Sequence, residues 1–308
     1  MRIVSLLPSA TEMICGIGLG KQLCGVTHEC DYPAEITADL PKVTTSSIPH
    51  DATSSEIDRL VSERVASEGA STQLTLYSLK MDVLERLCPD VIVTQTLCDV
   101  CAVAEADVIT AVTLLPGVPQ VINLSPTNLG DVLAQMRELG QRLQCDIEAS
   151  DAVNQLQARI DAVGRRSESM DHRPSVVLLE WLDPPFSAGH WNPALVQIAG
   201  GVELLGQEGG KSRRINWKEI LDVDPEVMVI ACCGFSLDRA MLDVPTLKAR
   251  PSFESLRCVR NQRVYIVDGS SYFNRPGPRL VDSLEMLAHL IDPTVHPRPC
   301  FDFSTFRL

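Results

Sequence analysis

At 308 residues, with 45% hydrophobic and 22% charged side chains, the chain has the composition of a soluble globular protein with room for about two domains. Its net charge of −13 repels nucleic acid and acidic membrane surfaces, which excludes polyanionic partners. Apolar runs such as Val227–Gly234 are less than half the length of a membrane-spanning helix, so no direct membrane insertion is expected.

In chain order, Arg2–Leu7 reads as a β-rich apolar start. It leads into Pro8-Ser9-Ala10-Thr11-Glu12, where Ser9 and Glu12 have capping-box spacing for the next helix. Gly16-Ile-Gly-Leu-Gly20 ends that helix and does not follow a strand, so it lacks the context of a dinucleotide fingerprint. A short second strand is followed by His28, Glu29 and Cys30. Residues 44–72 are polar and read as a peripheral insertion holding one helix, about Ser54 to Glu68.

Val83–Val93 then reads as helix end, proline, acid and buried strand, and Glu219–Val229 repeats that layout at an offset of 136 residues. Each segment has a β-rich start upstream, Arg2–Leu7 in one case and Ser175–Leu179 in the other, so two similar α/β lobes are expected. Continuous Val/Ile/Leu strands flanked by helical patterns predict mainly parallel sheets covered on both faces. Between the lobes, Ala149, Ala152, Val153, Leu156, Ile160 and Val163 recur at helical spacing, predicting one long joining helix. The expected boundaries are an N-terminal lobe at 1–145, the helix at 146–170 and a C-terminal lobe at 171–308.

In open parallel sheets ligands bind beyond the carboxyl ends of the strands, where loops converge and helix N-termini offer N–H groups. The chain's unusual residues cluster after its predicted strands: Thr94–Cys101 with Cys98 and Cys101, Glu180–Trp191 with Phe186 and His190, Ala231–Phe235 with Cys232 and Cys233, and Asp268–Arg279 with Phe273 and Arg275. One shared ligand cleft explains that clustering. His190 lies in a loop ahead of a helix expected to be capped by Asn192 and opened by Pro193, a placement that favours ligand contact. Trp181 and Phe186 suit packing or a ligand platform equally, and Arg275 and Arg279 suit gripping amides or phosphates as well as bracing a Pro-rich turn.

Cys98-x-x-Cys101 becomes a metal site only if two more ligands arrive, for which His28, Cys30, His190 and Cys233 are the candidates. A redox pair needs an exposed thiolate at a helix N-terminus, and half-buried cysteines lining a pocket are the plainer reading. Gly210-Lys-Ser212 resembles the end of a P-loop, but the first required glycine falls at Leu205. The odd count of eleven cysteines, without framework spacing, points to a reducing compartment and a cytoplasmic location. Glu12 interrupts the opening apolar stretch and no cleavage pattern follows it, against a signal peptide. The alternative is an exported, periplasmic protein whose start lies upstream.

Arg2–Glu12, Pro89–Val93, Asp183-Pro-Pro-Phe-Ser-Ala-Gly189, Ala199-Gly-Gly201 and Arg275-Pro-Gly-Pro-Arg279 together resemble the class III, helical-backbone (TroA-like) substrate-binding proteins of ABC importers. The resemblance is nearest to the cobalamin-binding branch and runs over nearly the whole chain. It implies two Rossmann-like lobes on a rigid helix, a ligand held between them, and an ABC permease partner engaged by surface acids, with Glu219 near one such position. It also implies ligand contacts from Pro8–Thr11, Asp183–Gly189 and Ser271–Arg275. The cleft cysteines and the 44–72 insertion depart from that pattern.

The resulting expectation is a non-enzymatic binder of cobalamin or another corrinoid, for transport, delivery or storage. Ser9, Thr11, His28, Cys98 and Cys101 form one set of contacts, and Glu180, Trp181, Phe186, His190, Trp191, Cys233, Phe273 and Arg275 the other. His28, His190 or a thiolate is a candidate cobalt ligand. The rival is a metalloenzyme or thiol redox enzyme in which Cys98, Cys101 and His190 hold zinc or iron. A third reading is a docking subunit with a vestigial cleft.

Overall fold

The computed structural model describes residues 1–46, 52–67, 77–95, 105–301 and 303–308. The chain separates into two compact units, Met1–Pro126 with Asp131–Asn154, and Thr127–Gly130 with Gln155–Leu308.

The first unit is built on strands β1 (Ile3–Ser5), β2 (Leu23–Val26), β5 (Val91–Gln95) and β6 (Gln120–Leu124), all parallel, in the order β2-β1-β5-β6. Every residue of β1 and β5 is buried, as a sheet covered on both faces requires of its central strands. Val4, Leu6, Val43, Leu84, Ile92, Val108, Val112 and Leu115 form one apolar cluster of this unit. Leu84 is 1% exposed within it, so truncation to alanine costs about 3 kcal/mol.

Strands β3 (Thr44–Ser46) and β4 (Tyr77–Leu79) pair antiparallel as a separate two-stranded sheet. The helix Ser54–Ser67 is present, but the polar Thr44–Ser46 run before it is a strand whose first side chain is buried and bonded. Cys98 and Cys101 lie outside the described residues.

The second unit carries β7 (Ser175–Leu182), β8 (Pro185–Ser187), β9 (Val202–Glu203), β10 (Val227–Ile230), β11 (Val264–Val267) and β12 (Thr305–Arg307) in one sheet. β7, β10 and β11 lie parallel side by side, β9 joins β7 in parallel, and antiparallel β8 and β12 flank them. The mainly parallel α/β architecture read from the sequence holds in both units.

The internal repeat is a repeat of backbone geometry. Helices Met81–Leu87 and Trp217–Val223 both end on a left-handed residue, Cys88 (φ 41°, ψ 62°) and Asp224 (φ 39°, ψ 68°). A proline follows each, and it cannot continue a helix and disfavours the right-handed conformation before it. The acid that comes next ties the unit's first strand to the one about to start. The Arg2 N–H donates to Asp90 Oδ2 at 2.6 Å, and the Ser175 N–H donates to Glu226 Oε2 at 2.8 Å.

Helix Asp146–Glu168 spans 23 residues, with acids in its first turn and Arg165 and Arg166 in its last, each complementing the helix dipole. Its start packs on Gly140, where an added Cβ would come 2.2 Å from that of Ala149. From Gln155 onward it belongs to the second unit, where Arg159 donates to Asp282 at 2.6 Å and to Glu285 at 3.0 and 2.8 Å.

Candidate ligand site

Because β7, β10 and β11 are adjacent and parallel, the segments after them leave the same edge of the sheet. Backbone bonds knit these segments together. The Cys233 N–H donates to Glu180 O at 2.8 Å, and the Ser270 N–H donates to Phe235 O at 3.0 Å. Gly269 runs so close to Cys232 that a Cβ would stand 2.2 Å from the Cys232 carbonyl oxygen, so only glycine fits there.

Glu180 is the hub of this edge. Its Oε1 accepts the Gly189 N–H at 2.9 Å and the Asn192 amide at 2.8 Å, and it takes a further bond from the Ser212 side chain. Burial pushes the Glu180 carboxyl up from its ordinary value while those three bonds oppose the shift. A second carboxyl, that of the half-buried Glu203, accepts the Leu178 N–H at 3.0 Å, Leu205 at 3.1 Å and Gly206 at 3.0 Å. Burial raises Glu203 to about 7 against these N–H groups, with the Glu180 charge adding to the rise.

His190 adopts φ +51°, donates its N–H to Gly210 O at 2.6 Å and accepts the Gly209 N–H at 2.8 Å. The 189–190 and 209–212 segments thus interlock. Burial, and then the charge of Lys211, lower the His190 pKa, which favours the neutral imidazole. Trp191 is buried and its indole N–H donates to Phe273 O at 2.8 Å.

Trp181 is half-buried, anchored by its indole N–H to Asp183 O at 3.1 Å, and its ring lies 4.7 Å from that of Phe235. The Arg239 guanidinium covers Phe235 at 4.1 Å. Phe186 pairs with Trp181 across β7 and β8, with Arg214 5.8 Å over its ring. Cys233 is exposed beside them. Phe235, an aromatic in a strand-end loop, joins this group although its position in the sequence alone does not single it out.

Several nominated side chains are committed inward. Phe273 is fully buried and presents its carbonyl, not its ring, to Trp191. Glu180, Trp191 and Arg275 are buried, and Arg275 reaches the Ser270 hydroxyl at 3.4 Å. In the first unit Ser9 and Thr11 are buried, with Thr11 Oγ1 3.1 Å from Cys30 Sγ. His28 is half-buried, its Nδ1 2.7 Å from the Thr44 hydroxyl and its Nε2 3.3 Å from Glu29.

Two caps differ from expectation. Helix Pro8–Gly16 has Leu7 at its N-cap with Pro8 at the first position, which puts Ser9 inside the helix and leaves no capping box with Glu12. Helix Asn192–Ile198 has Trp191 at its N-cap because the Asn192 amide is already bonded to Glu180. A capping box does form at Asn216 with Glu219, whose carboxylate also pairs with Arg213 at 2.8 Å. Among the described residues no group of three or more His, Cys, Asp or Glu is placed to hold a metal.

This edge presents the half-exposed rings of Trp181 and Phe186, an imidazole biased toward its neutral form and an exposed thiol, which is equipment for holding a ligand. The chain belongs to the periplasmic binding protein family, whose model matches residues 3–270. Members are substrate-binding proteins and not enzymes, so the protein is a small-molecule binder for transport. It is 24% identical to the vitamin B12-binding protein of Vibrio cholerae over 287 residues, covering 93% of this chain and 87% of that protein. In fold it is similar to the apo periplasmic heme-binding protein RhuT from Roseiflexus sp. RS-1, with a TM-score of 0.70 at 20% identity over 96% of this chain and 98% of that one. It is likewise similar to the periplasmic vitamin B12 binding protein BtuF of Vibrio cholerae, with a TM-score of 0.65 at 18% identity over 96% and 98% of the two chains.

The cytoplasmic location expected from the cysteines is overturned by this membership, because the family and these relatives are periplasmic. Cysteine count misleads because thiol reactivity follows the thiolate. Burial raises Cys15 to about 11 and Cys232 and Cys258 to about 12, and it raises Cys24 and Cys145 as well. Such thiols resist oxidation without a reducing compartment.

Proposed function

We propose that the protein binds cobalamin or a related corrinoid and presents it to an ABC permease. The observation that carries this reading is the match to the Vibrio cholerae vitamin B12-binding protein over nearly the full length of both chains. The half-exposed Trp181, its ring tilted against Phe235 and flanked by Phe186, supports it, since a corrin ring offers a broad face for aromatic contact. In this reading Trp181, Phe186, His190 and Cys233 touch the ligand from the C-terminal lobe, and His28 and the Cys98–Cys101 loop belong to the N-terminal lobe's share. The same reading divides the chain into lobes 1–145 and 171–308 joined by 146–170.

The test is a visible-absorbance titration with hydroxocobalamin, run beside one with haemin, each followed by gel filtration. A saturable one-to-one shift with hydroxocobalamin, colour staying with the protein, is the expected result. Colour retained with haemin alone moves the ligand to a porphyrin, and colour retained with neither overturns the reading. If His190 or a thiolate meets the cobalt, His190→Ala, Cys233→Ser or Cys98→Ser changes the bound spectrum; identical spectra in all three remove protein ligation of the metal.

A further inference from the structure

Three of the chain's seven phenylalanines, Phe301, Phe303 and Phe306, fall within its last eight residues. The segment that carries them is tied down at several points. His296 is 2% exposed and its Nε2 lies 3.2 Å from the Ser167 hydroxyl. Further on, Phe303 is buried with the Arg298 guanidinium 4.6 Å over its ring, and Arg298 donates to Phe303 O at 3.3 Å. The chain then closes as β12 on β11, and the Leu308 N–H donates to Val264 O at 3.0 Å.

Between those anchors Phe301 stands against the turn that follows β11. Its ring stacks on Tyr272 at 5.9 Å with 28° between the planes, and it touches Phe303 at 5.6 Å. The Arg279 guanidinium lies 5.5 Å from the Tyr272 ring. The turn itself, Gly269–Phe273, is a short stretch of π-helix, a rare geometry that is frequent at functional sites. It is pinned by Asp268, which accepts the Ser271 N–H at 2.7 Å and the Ser271 hydroxyl at 2.9 Å, and by the Ser283 hydroxyl, which donates to Tyr272 O. Those bonds fix the backbone of the turn. The Tyr272 ring, for its part, is in contact with Phe301 and Arg279.

We infer that the C-terminal segment is a functional part of the ligand site: Phe301 is a positioning residue that orients Tyr272 on the strand-end turn, and ligand affinity depends on it through that ring. The inference rests on the corrinoid reading for its ligand, but the contact it describes lies within the C-terminal unit alone. A half-exposed aromatic ring held at a fixed angle loses little rotamer freedom when a flat ligand meets it, whereas a loose one must be ordered at the moment of binding. Removing the stacking partner therefore weakens binding without removing any atom that touches ligand.

The experiment compares wild type, Phe301→Ala, Phe301→Tyr, Tyr272→Ala and the Phe301→Ala/Tyr272→Ala double variant by hydroxocobalamin titration. Expected is a five- to tenfold weaker Kd for Phe301→Ala, affinity restored in Phe301→Tyr, and no added loss for Phe301→Ala in the Tyr272→Ala background. Wild-type affinity in folded Phe301→Ala, or an equal loss in both backgrounds, overturns the inference. The ring-proton NMR shifts of Tyr272, read without ligand, separate this from failure of the ligand assignment. If wild type retains no hydroxocobalamin, Tyr272 ring shifts that move toward averaged values in Phe301→Ala but not in Phe301→Tyr sustain the positioning role, and unchanged ring shifts overturn it.

Discussion

The Asn192 amide donates to the Glu180 carboxylate at 2.8 Å, and through that bond the end of β7 is joined to the His190–Trp191 loop. Glu180 uses one oxygen for both N–H donors, and its remaining partner is a hydroxyl that can turn round. Glu203 uses both oxygens for backbone N–H groups, which cannot. Glutamine therefore replaces Glu180 at a cost below about 1 kcal/mol, but at Glu203 it sets an NH2 against a donor and costs about 2 kcal/mol. The two also differ in pH response. The folded-state value of Glu203, about 7, lies above its ordinary 4.5, so its contribution to stability is full below that lower value and is lost as pH rises through about 7. Urea denaturation of both variants across pH 4.5–8 checks this: Glu203→Gln lacks that loss, and equal costs for the two glutamines contradict the argument.

Arg159 holds Asp282 and Glu285 together, with its own side chain 37% exposed and theirs 20% and 25%. This placement is between a surface pair, of little value, and a buried one whose breakage is expensive. Arg159→Met costs about 2 kcal/mol at neutral pH because it leaves two carboxylates side by side. Burial already raises Asp282, and loss of the guanidinium raises it further. A raised carboxyl gives its stability below its unfolded value and loses it as pH rises, so the deficit of the variant is smaller at pH 4 than at pH 8. Thermal unfolding at the two pH values measures this.

Much of the architecture is written in the sequence because it rests on burial and on backbone rules. Val91–Val93 and Val227–Ile230 are continuous apolar runs because both faces of each strand are covered, and the Pro-acid pairs before them announce a left-handed helix end and a strand-tying carboxylate. The site is less legible. Glu180 and Phe273 stand in the right loops, yet sequence does not reveal that one faces inward as a hub and the other offers only its carbonyl. Ser9 misleads because Pro8 takes the first helical position, and Asn192 because its amide has a tertiary partner. The Phe301–Tyr272 contact joins residues 29 positions apart through a strand at the edge of the sheet, which no local pattern encodes.

His296 carries its proton on Nε2, because the Ser167 hydroxyl donates to Ile198 O at 2.7 Å and so accepts from the ring. Nδ1 is buried without a partner among the described residues. Burial, then the charge of Arg166, lower its pKa below the ordinary 6.5, and Asp292 only partly offsets them. The unfolded chain therefore takes up its proton first, and this contribution to stability, full above that value, is lost as pH falls. His296→Gln keeps an N–H for Ser167 but has no such titration. Its stability relative to wild type rises between pH 7 and 5.5 in urea denaturation, and a constant difference would show that His296 does not titrate there.

Trp181 and Cys233 test the ligand surface by two independent readouts. Trp181 is the half-exposed tryptophan at the strand ends, so hydroxocobalamin quenches its fluorescence and Trp181→Ala weakens binding about tenfold, while Trp181→Phe keeps most of the affinity. Cys233 is exposed and Cys232 beside it is buried with its thiol raised to about 12. Iodoacetamide at pH 7.5 therefore labels Cys233 together with exposed Cys88 and Cys300, and leaves Cys232 and Cys258 unmodified in the folded protein. Saturating hydroxocobalamin slows labelling at Cys233 and not at Cys88 or Cys300. Equal labelling of Cys233 with and without bound ligand, read by peptide mass spectrometry, would place the corrinoid away from the segment after β10.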